Sequence, residues 1–294
     1  MLEEITALMR RLAFPEDAVL SLAETAKKIL EDSEGCAEFL EILAPHEESE
    51  NCAYGKMFAA MKELSAKLEI REYAGYMILL LAMCKKLLAR YKERGLSEDL
   101  FYHTMADLRY KNEECNLLYG ENGTFVPSWY PGLYKLERFA FGRLQIGVFR
   151  LGFECEYKGT KLLPDYTAFD IHIPRTGTKL DHDAVLDSYR QAKEFFKDRL
   201  VGDQPAVFTC HTWMLYPWNE TVLSPTSNMY AFYKDFELIG SGDYENHKDV
   251  WRLFDCLFDG DVSVLPRDTS LRRAYAERIE RGEPTGWGHG IFIL

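Results

Sequence analysis

Thr167-Ala-Phe-Asp-Ile-His-Ile173 is an apolar run of strand length, and Pro174-Arg-Thr-Gly177 ends it. His182 to Leu200 then carries helical spacing, and Ala206-Val-Phe-Thr-Cys210 is a second short apolar run. A strand that feeds a glycine-containing turn and then a helix leaves backbone N–H groups without intrahelical partners at the helix start. With the positive end of the helix dipole, those groups attract phosphate. Next comes Ser227-Asn-Met-Tyr-Ala-Phe-Tyr-Lys-Asp-Phe-Glu-Leu-Ile-Gly240, helix-patterned first and strand-patterned at its end. Residues 167–240 thus predict strand, loop, helix, strand, helix, strand.

That order, with Ser227-Asn228-Met229 opening the second helix, resembles the cofactor-binding half of the GNAT superfamily of acyl-CoA-dependent N-acyltransferases. Further words narrow the resemblance: Gly142-Arg143-Leu144-Gln145, Ile171-His172-Ile173-Pro174, Cys210-His211-Thr212-Trp213 and Leu265-Pro266-Arg267-Asp268-Thr269. Together they look like a bacterial acyltransferase family that pairs a helical N-terminal domain with a GNAT-like C-terminal domain. The resemblance implies an α+β chain, with an all-helical domain over 1–118 and a mixed α/β acyl-CoA-binding domain over 119–294. It also implies acetyl-CoA or another acyl-CoA as co-substrate and a small-molecule or peptide amine as acceptor. The loop here has one glycine where the superfamily pattern has two small residues, and Phe236 lacks the usual preceding glycine. A GNAT-like binding or interaction module with little or no turnover is the alternative.

The region before residue 118 reads as helix throughout. Pro15 suits a first turn, with Glu16 and Asp17 opposing the dipole. Val19, Leu22, Ala23, Ala26, Ile29 and Leu30 follow on one face. A shorter helix is expected from Glu34 to Leu43, stopped near Pro45, and another from Cys52 to Leu68. A long apolar stripe runs from Tyr73 to Tyr91, and Ser97 can cap a last helix through about Leu118. Tyr119-Gly-Glu-Asn-Gly123 is a turn-rich break and the expected domain boundary. Beyond it, Phe139 to Tyr157 reads as two strands, Asp268 as the cap of a helix through Arg281, and Gly286 to Leu294 as a closing strand.

A net charge of −12 over 294 residues argues against a general nucleic-acid or anionic-membrane binder, which needs clustered Lys and Arg. The acidic start Met1-Leu-Glu-Glu-Ile5 lacks the basic flank of a signal peptide. The longest apolar run, Tyr76 to Cys84, is too short to cross a bilayer. Seven cysteines without a framework suit reduced thiols, and a cytoplasmic location is expected. No metal is expected, since neither Cys-x-x-Cys nor His-Glu-x-x-His spacing occurs.

An acyl-CoA N-acyltransferase must hold a pyrophosphate, polarise the thioester carbonyl, deprotonate the amine and protonate the departing thiolate. The backbone of Arg175, Thr176, Gly177 and Thr178 is the candidate for the first task, with Arg175 and Lys179 adding charge. The N–H of His172 or Ile173 serves the second if its strand splays from the neighbour. His211 and His172 lie at strand ends, where open α/β sheets collect ligands, and histidine titrates near neutral pH. Tyr233 is the candidate acid, because a phenol with a pKa near ~10 matches a thiolate of similar basicity. Its neighbours Tyr230, Phe232 and Phe236 equally suit a core aromatic cluster. Asn228 belongs to the superfamily's helix pattern or serves as a cap. Cys210 and His211 are adjacent on a strand and point to opposite faces, so they form no nucleophile–base dyad.

Overall fold

Eight helices follow one another from the first residues: α1 (Leu2–Arg11), α2 (Glu16–Glu31), α3 (Ser33–Glu48), α4 (Tyr54–Lys67), α5 (Glu72–Glu93), α6 (Glu98–Met105), α7 (Asp107–Tyr119) and the single turn α8 (Pro131–Tyr134). In the computed structural model, which describes residues 1–294, they form one compact unit, Met1–Phe139; Ala140–Leu294 form a second. α5 is the axis of the first unit. Its residues Ala74 to Cys84 are all buried, and it touches α1, α2, α3, α4, α6 and α7. A helix apolar on all sides can sit only where neighbours cover every face. Each fully buried Leu or Met there contributes about 1.5–3 kcal/mol relative to exposure.

Two helix expectations shift. Pro45 does not stop α3, which runs on to Glu48 with Pro45 inside it. Proline forfeits only its own N–H bond, and the extra turn buries His46 completely against Arg90 and the Met83 carbonyl. The helix capped by Ser97 is broken at Ala106 into α6 and α7. The turn at 119–123 lies inside the first unit. Tyr130 and Tyr134, after that turn, are fully buried in it, and Tyr134 donates its hydroxyl to the Leu80 carbonyl at 2.6 Å.

The second unit is built on a six-stranded sheet. Its strands are β1 (Arg138–Phe141), β2 (Leu144–Arg150), β5 (Thr167–His172), β6 (Val207–Thr212), β7 (Glu237–Asp243) and β8 (Gly286–Ile293), in the order β1-β2-β5-β6-β8-β7. β3 (Cys155–Tyr157) and β4 (Thr160–Leu162) form a separate hairpin. The stretch 139–157 therefore holds parts of three strands rather than two: the chain turns at Gly142 (φ +53°), and Gly147 lies within β2. β5 and β6 run parallel, while the pairs β2–β5, β6–β8 and β7–β8 are antiparallel.

One sheet face is covered by α9 (His182–Phe195). There Phe169, Phe208, Phe292 and Tyr189 pack ring on ring, with Phe208 and Phe292 stacked at 5.0 Å. The hairpin covers part of the other face, where Leu151, Leu162, Ala168, Val207 and Ile291 form a second core. α10 (Asn219–Val222) and α11 (Asn228–Lys234) follow β6, and α12 (Trp251–Phe254) and α13 (Ser270–Glu280) precede β8. Thr269, not Asp268, caps α13 by accepting from the Arg272 N–H, and Asp268 pairs with the Arg272 guanidinium instead.

Candidate active site at a gap between two parallel strands

β5 and β6 pair only over Ala168↔Val207, Phe169↔Phe208 and Asp170↔Thr209, yet β5 runs on to His172 and β6 to Thr212. Beyond the last pair the two strands lose their ladder, leaving a gap in the pairing at their C-terminal ends. The Cys210 thiol bridges part of it, donating to the Ile171 carbonyl at 3.4 Å. That carbonyl therefore faces β6, and Ile173 follows the last residue of β5. Burial, and then the Asp170 carboxylate, push the Cys210 thiol well above its ordinary pKa. It stays protonated and is no nucleophile.

The loop after β5 is held from below by Arg143. Its guanidinium donates to the carbonyls of Pro174 (2.9 Å), Lys179 (3.2 Å) and Thr178 (3.4 Å). Gly177 sits at φ +76°, in the left-handed region that disfavours a side chain. Thr176 and Thr178 use their N–H groups within the loop, donating to the Pro174 carbonyl and the Thr176 hydroxyl. The N–H groups of Arg175, Gly177 and Lys179 have no such partner, so the loop offers every second amide. The first turn of α9 is capped by Asp181, which accepts from the Ala184 N–H at 3.2 Å. A carboxylate thus occupies the helix terminus, which leaves the loop amides as the anion donors. The Arg175 guanidinium is engaged by Asp255 at 2.7 Å, and Asp255 is in turn held by Arg272 at 2.7 Å.

Register sorts the remaining candidates by face. Phe169, Phe208 and Phe292 face α9, so by alternation Asp170 and His172 on β5, Thr209 and His211 on β6, and Trp287 and His289 on β8 all face the other way. His172 stands opposite Gln145, and His211 opposite His289, which is opposite Gly240. A transverse row results: Gln145, His172, the gap, His211, His289, Gly240. His211 is exposed, with its ring 4.3 Å from that of Trp287 and 5.9 Å from that of His289. Burial, and then the neighbouring His211, lower the pKa of His289.

The sequence reading named His172 and His211 and left out Asp170, Trp287 and His289. Their signal was present in Gly286-Trp-Gly-His-Gly290, a strict alternation of glycine with a ring. Gly288 and Gly290 face the 213–216 turn and Phe236, which lies between α11 and β7. A Cβ on Gly288 would lie 1.9 Å from the Leu215 carbonyl oxygen, and one on Gly290 would lie 2.7 Å from the Phe236 Cβ. With that face closed to side chains, the two rings are sent to the open face.

Tyr233 and Asn228 lie on the α9 side with α11. Ser227 caps that helix, accepting from Tyr230 N–H at 3.1 Å, so Asn228 is its first residue and not its cap. Tyr233 is buried, and burial, and then the Glu220 carboxylate, raise its pKa. The structure therefore puts His172 and His211 on one face of the sheet and Tyr233 on the other. The arginines of 267–281 are spent on neighbouring groups: Arg267 on Glu280, Arg272 on Asp255 and Asp268, Arg273 on the Arg267 carbonyl, and Arg278 and Arg281 on Glu283. No group of three or more His, Cys, Asp or Glu side chains suited to a metal is present.

Residues 138–292 match the family described as the GNAT-like C-terminal domain, and residues 3–136 match the N-acyltransferase N-terminal domain. No curated protein matches the chain. Among solved structures it is similar to an acyltransferase in complex with CoA and 10C-teicoplanin, at 20% identity and a TM-score of 0.76, over 99% of this chain and 88% of that one. An acyltransferase with decanoyl-CoA and teicoplanin gives 20%, 0.74, 99% and 88%. An acyltransferase with decanoyl-CoA gives 20%, 0.63, 99% and 99%. At that identity the likeness speaks for the fold, an all-helical region followed by a mixed sheet-and-helix domain. The match over 138–292 covers more than half the chain, and the protein belongs to the family that carries the GNAT-like C-terminal domain.

Proposed function

We propose that the protein is an acyl-CoA-dependent N-acyltransferase that moves an acyl group from coenzyme A to the amine of a small-molecule acceptor. The observation that carries this reading is the loss of pairing between β5 and β6 beyond Asp170 and Thr209, in a domain of the GNAT-like family. A thioester seated in that gap has the Ile173 N–H on its carbonyl side. The pyrophosphate lies on the amides of Arg175, Gly177 and Lys179, with Thr176 and Thr178 shaping the loop and Asn228 at the head of α11 on the cofactor side. His172 and His211 flank the gap on the open face as bases for the amine, and Tyr233 on the opposite face is the acid for the thiolate. The acyltransferases of similar fold hold CoA, octanoyl-CoA or decanoyl-CoA, and two of them hold teicoplanin forms as well, which supports an acyl-CoA donor and a small-molecule acceptor here. Seven free thiols fit a reducing cytoplasm.

Isothermal titration of the protein with decanoyl-CoA, acetyl-CoA and, as control, ATP tests the reading. Saturable binding of the thioesters but not ATP is expected, weakened about tenfold or more by Gly177→Val, whose side chain the loop's left-handed backbone resists. Tyr233→Phe should leave that affinity intact and lower turnover. No binding of either thioester would leave a GNAT-like module without transfer chemistry.

A further inference from the structure

Phe153, His211, Trp287 and His289 cluster on the open sheet face, with Gly240 and Gly242 opposite His289 and Trp287 on β7. His289 has the ring of Phe153 at 5.9 Å and that of His211 also at 5.9 Å. Across β7 its partner is Gly240, where an added Cβ would come no nearer than 3.9 Å to the His289 Cβ. Two residues along, the Trp287 indole lies over Gly242, so close that a Cβ there would sit 2.8 Å from its Cζ2. Phe153 and His211 are exposed and Trp287 and His289 half-buried, so the niche opens to solvent. It also lies one strand from the β5–β6 gap, on the same face as His172.

We propose that this niche binds the acceptor as a primary ammonium, with the exposed Phe153 ring attracting the cation and a ring nitrogen of His289 taking its proton. Aromatic faces stabilise a nearby cation, and a neutral imidazole is the side chain suited to deprotonating it. The inference rests on the N-acyltransferase reading and says which residues prepare the nucleophile. The ammonium passes one proton to His289, and the nitrogen lone pair then attacks the thioester carbonyl carbon. A C–N bond forms and the C–S bond breaks with its electron pair on sulfur; the nitrogen loses its second proton to His172 or His211, which returns it to water, and the thiolate takes a proton from Tyr233, whose phenolate is reprotonated from water. The imidazolium left on His289 then releases its proton to water.

The environment of His289 suits the task. It is faced by His211 from β6, Gly240 from β7 and Phe153 from the segment ahead of β3, with Trp287 and Ile291 beside it on β8. Asp170 and His172 on β5 and Glu237 on β7 stand further along the same face. Burial and then His211 disfavour its charged form, so it is unprotonated when the ammonium arrives. Removing His211 removes the second of these effects and should raise the titration of His289.

Histidine-edited NMR of the full chain with benzylamine as probe, alongside decanoyl-CoA titrations, tests the niche. Benzylamine is expected to shift the His289 ring and Trp287 indole signals. Gly240→Leu, which fills the open side, should weaken that response about tenfold or more while decanoyl-CoA affinity stays within about twofold. Should that variant fold poorly, Gly240→Val makes the same test with less bulk. His211→Gln should raise the His289 titration and carry the acid limb of kcat/KM for the amine upward with it. His289→Gln should lower kcat/KM about a hundredfold. An unmoved acid limb in His211→Gln, or wild-type benzylamine binding in both Gly240 variants, overturns the proposal. Absence of decanoyl-CoA binding in the wild type instead overturns the transferase reading, and the benzylamine response then decides the niche on its own.

Discussion

His46 shows what one buried titratable group does to this protein. It is completely buried in the first unit, with Arg90 Nη1 at 3.3 Å from its Nε2, the Met83 carbonyl at 3.2 Å and the Tyr54 hydroxyl at 3.4 Å from its Nδ1. Burial, and then the positive charge of Arg90, push its pKa down to about 4. In the unfolded chain the ring titrates near ~6.5. The folded state therefore binds fewer protons between those values, and stability falls as pH drops through that window. The loss is on the order of 3 kcal/mol by the time pH reaches about 4, and it flattens below. Urea unfolding at pH 7 and pH 4.5 should show this loss in the wild type and a smaller one in His46→Gln. Equal losses in both would mean that another group carries the acid sensitivity.

At the scale of elements, β8 is the strand on which the second unit depends. It joins β6 to β7, and its glycines admit the 213–216 turn on one face while its rings define the other. Gly288 is the tightest point: an added Cβ meets the Leu215 carbonyl oxygen and carbon at 1.9 and 2.5 Å. Backbone cannot rotate away as a side chain can, so Gly288→Ala must push the turn off the sheet. Overpacking of that kind costs about 1–3 kcal/mol, and here at the upper end. Thermal melting should register a drop of several degrees for Gly288→Ala and little change for Gly240→Ala, whose Cβ meets only an ordinary contact. Matching melting temperatures for the two variants would show that the turn yields freely.

The molecule as a whole carries a net charge of −12, and no helix is long and apolar enough to cross a membrane. Such a field attracts a cationic acceptor and repels a polyanionic coenzyme A thioester, each in proportion to the unscreened charge. The two substrates should therefore respond oppositely to salt. Raising ionic strength from about 10 to about 150 mM shortens the screening length from roughly 30 to 8 Å. Over that range kcat/KM for an ammonium acceptor is expected to fall, and that for the acyl-CoA to rise or hold. Parallel changes for both would place the relevant charges in the site itself rather than in the overall field.

The sequence by itself determined the local grammar of this protein. The helical spacing of α2 and α5, the cap at Ser97 and the strand–loop–helix passage from Thr167 through Gly177 to α9 depend on contacts a few residues apart, which spacing records. Where a local signal competed with packing, packing prevailed. Pro45 stays within α3 because the turn beyond it buries His46, and the break at 119–123 lies within the first unit, where Tyr130 and Tyr134 after it are buried. The site was half legible. His172, His211 and the loop from Arg175 to Lys179 adjoin the strand ends in the sequence itself, so local reading could find them. Asp170, Trp287 and His289 could not be joined to them, because β8 comes from the last residues of the chain and only its antiparallel register on β6 sets His289 opposite His211. The gap belongs to tertiary structure alone. Two parallel strands part beyond Asp170 and Thr209 because the sheet stops pairing them there, and no pattern within either strand encodes the distance to the other.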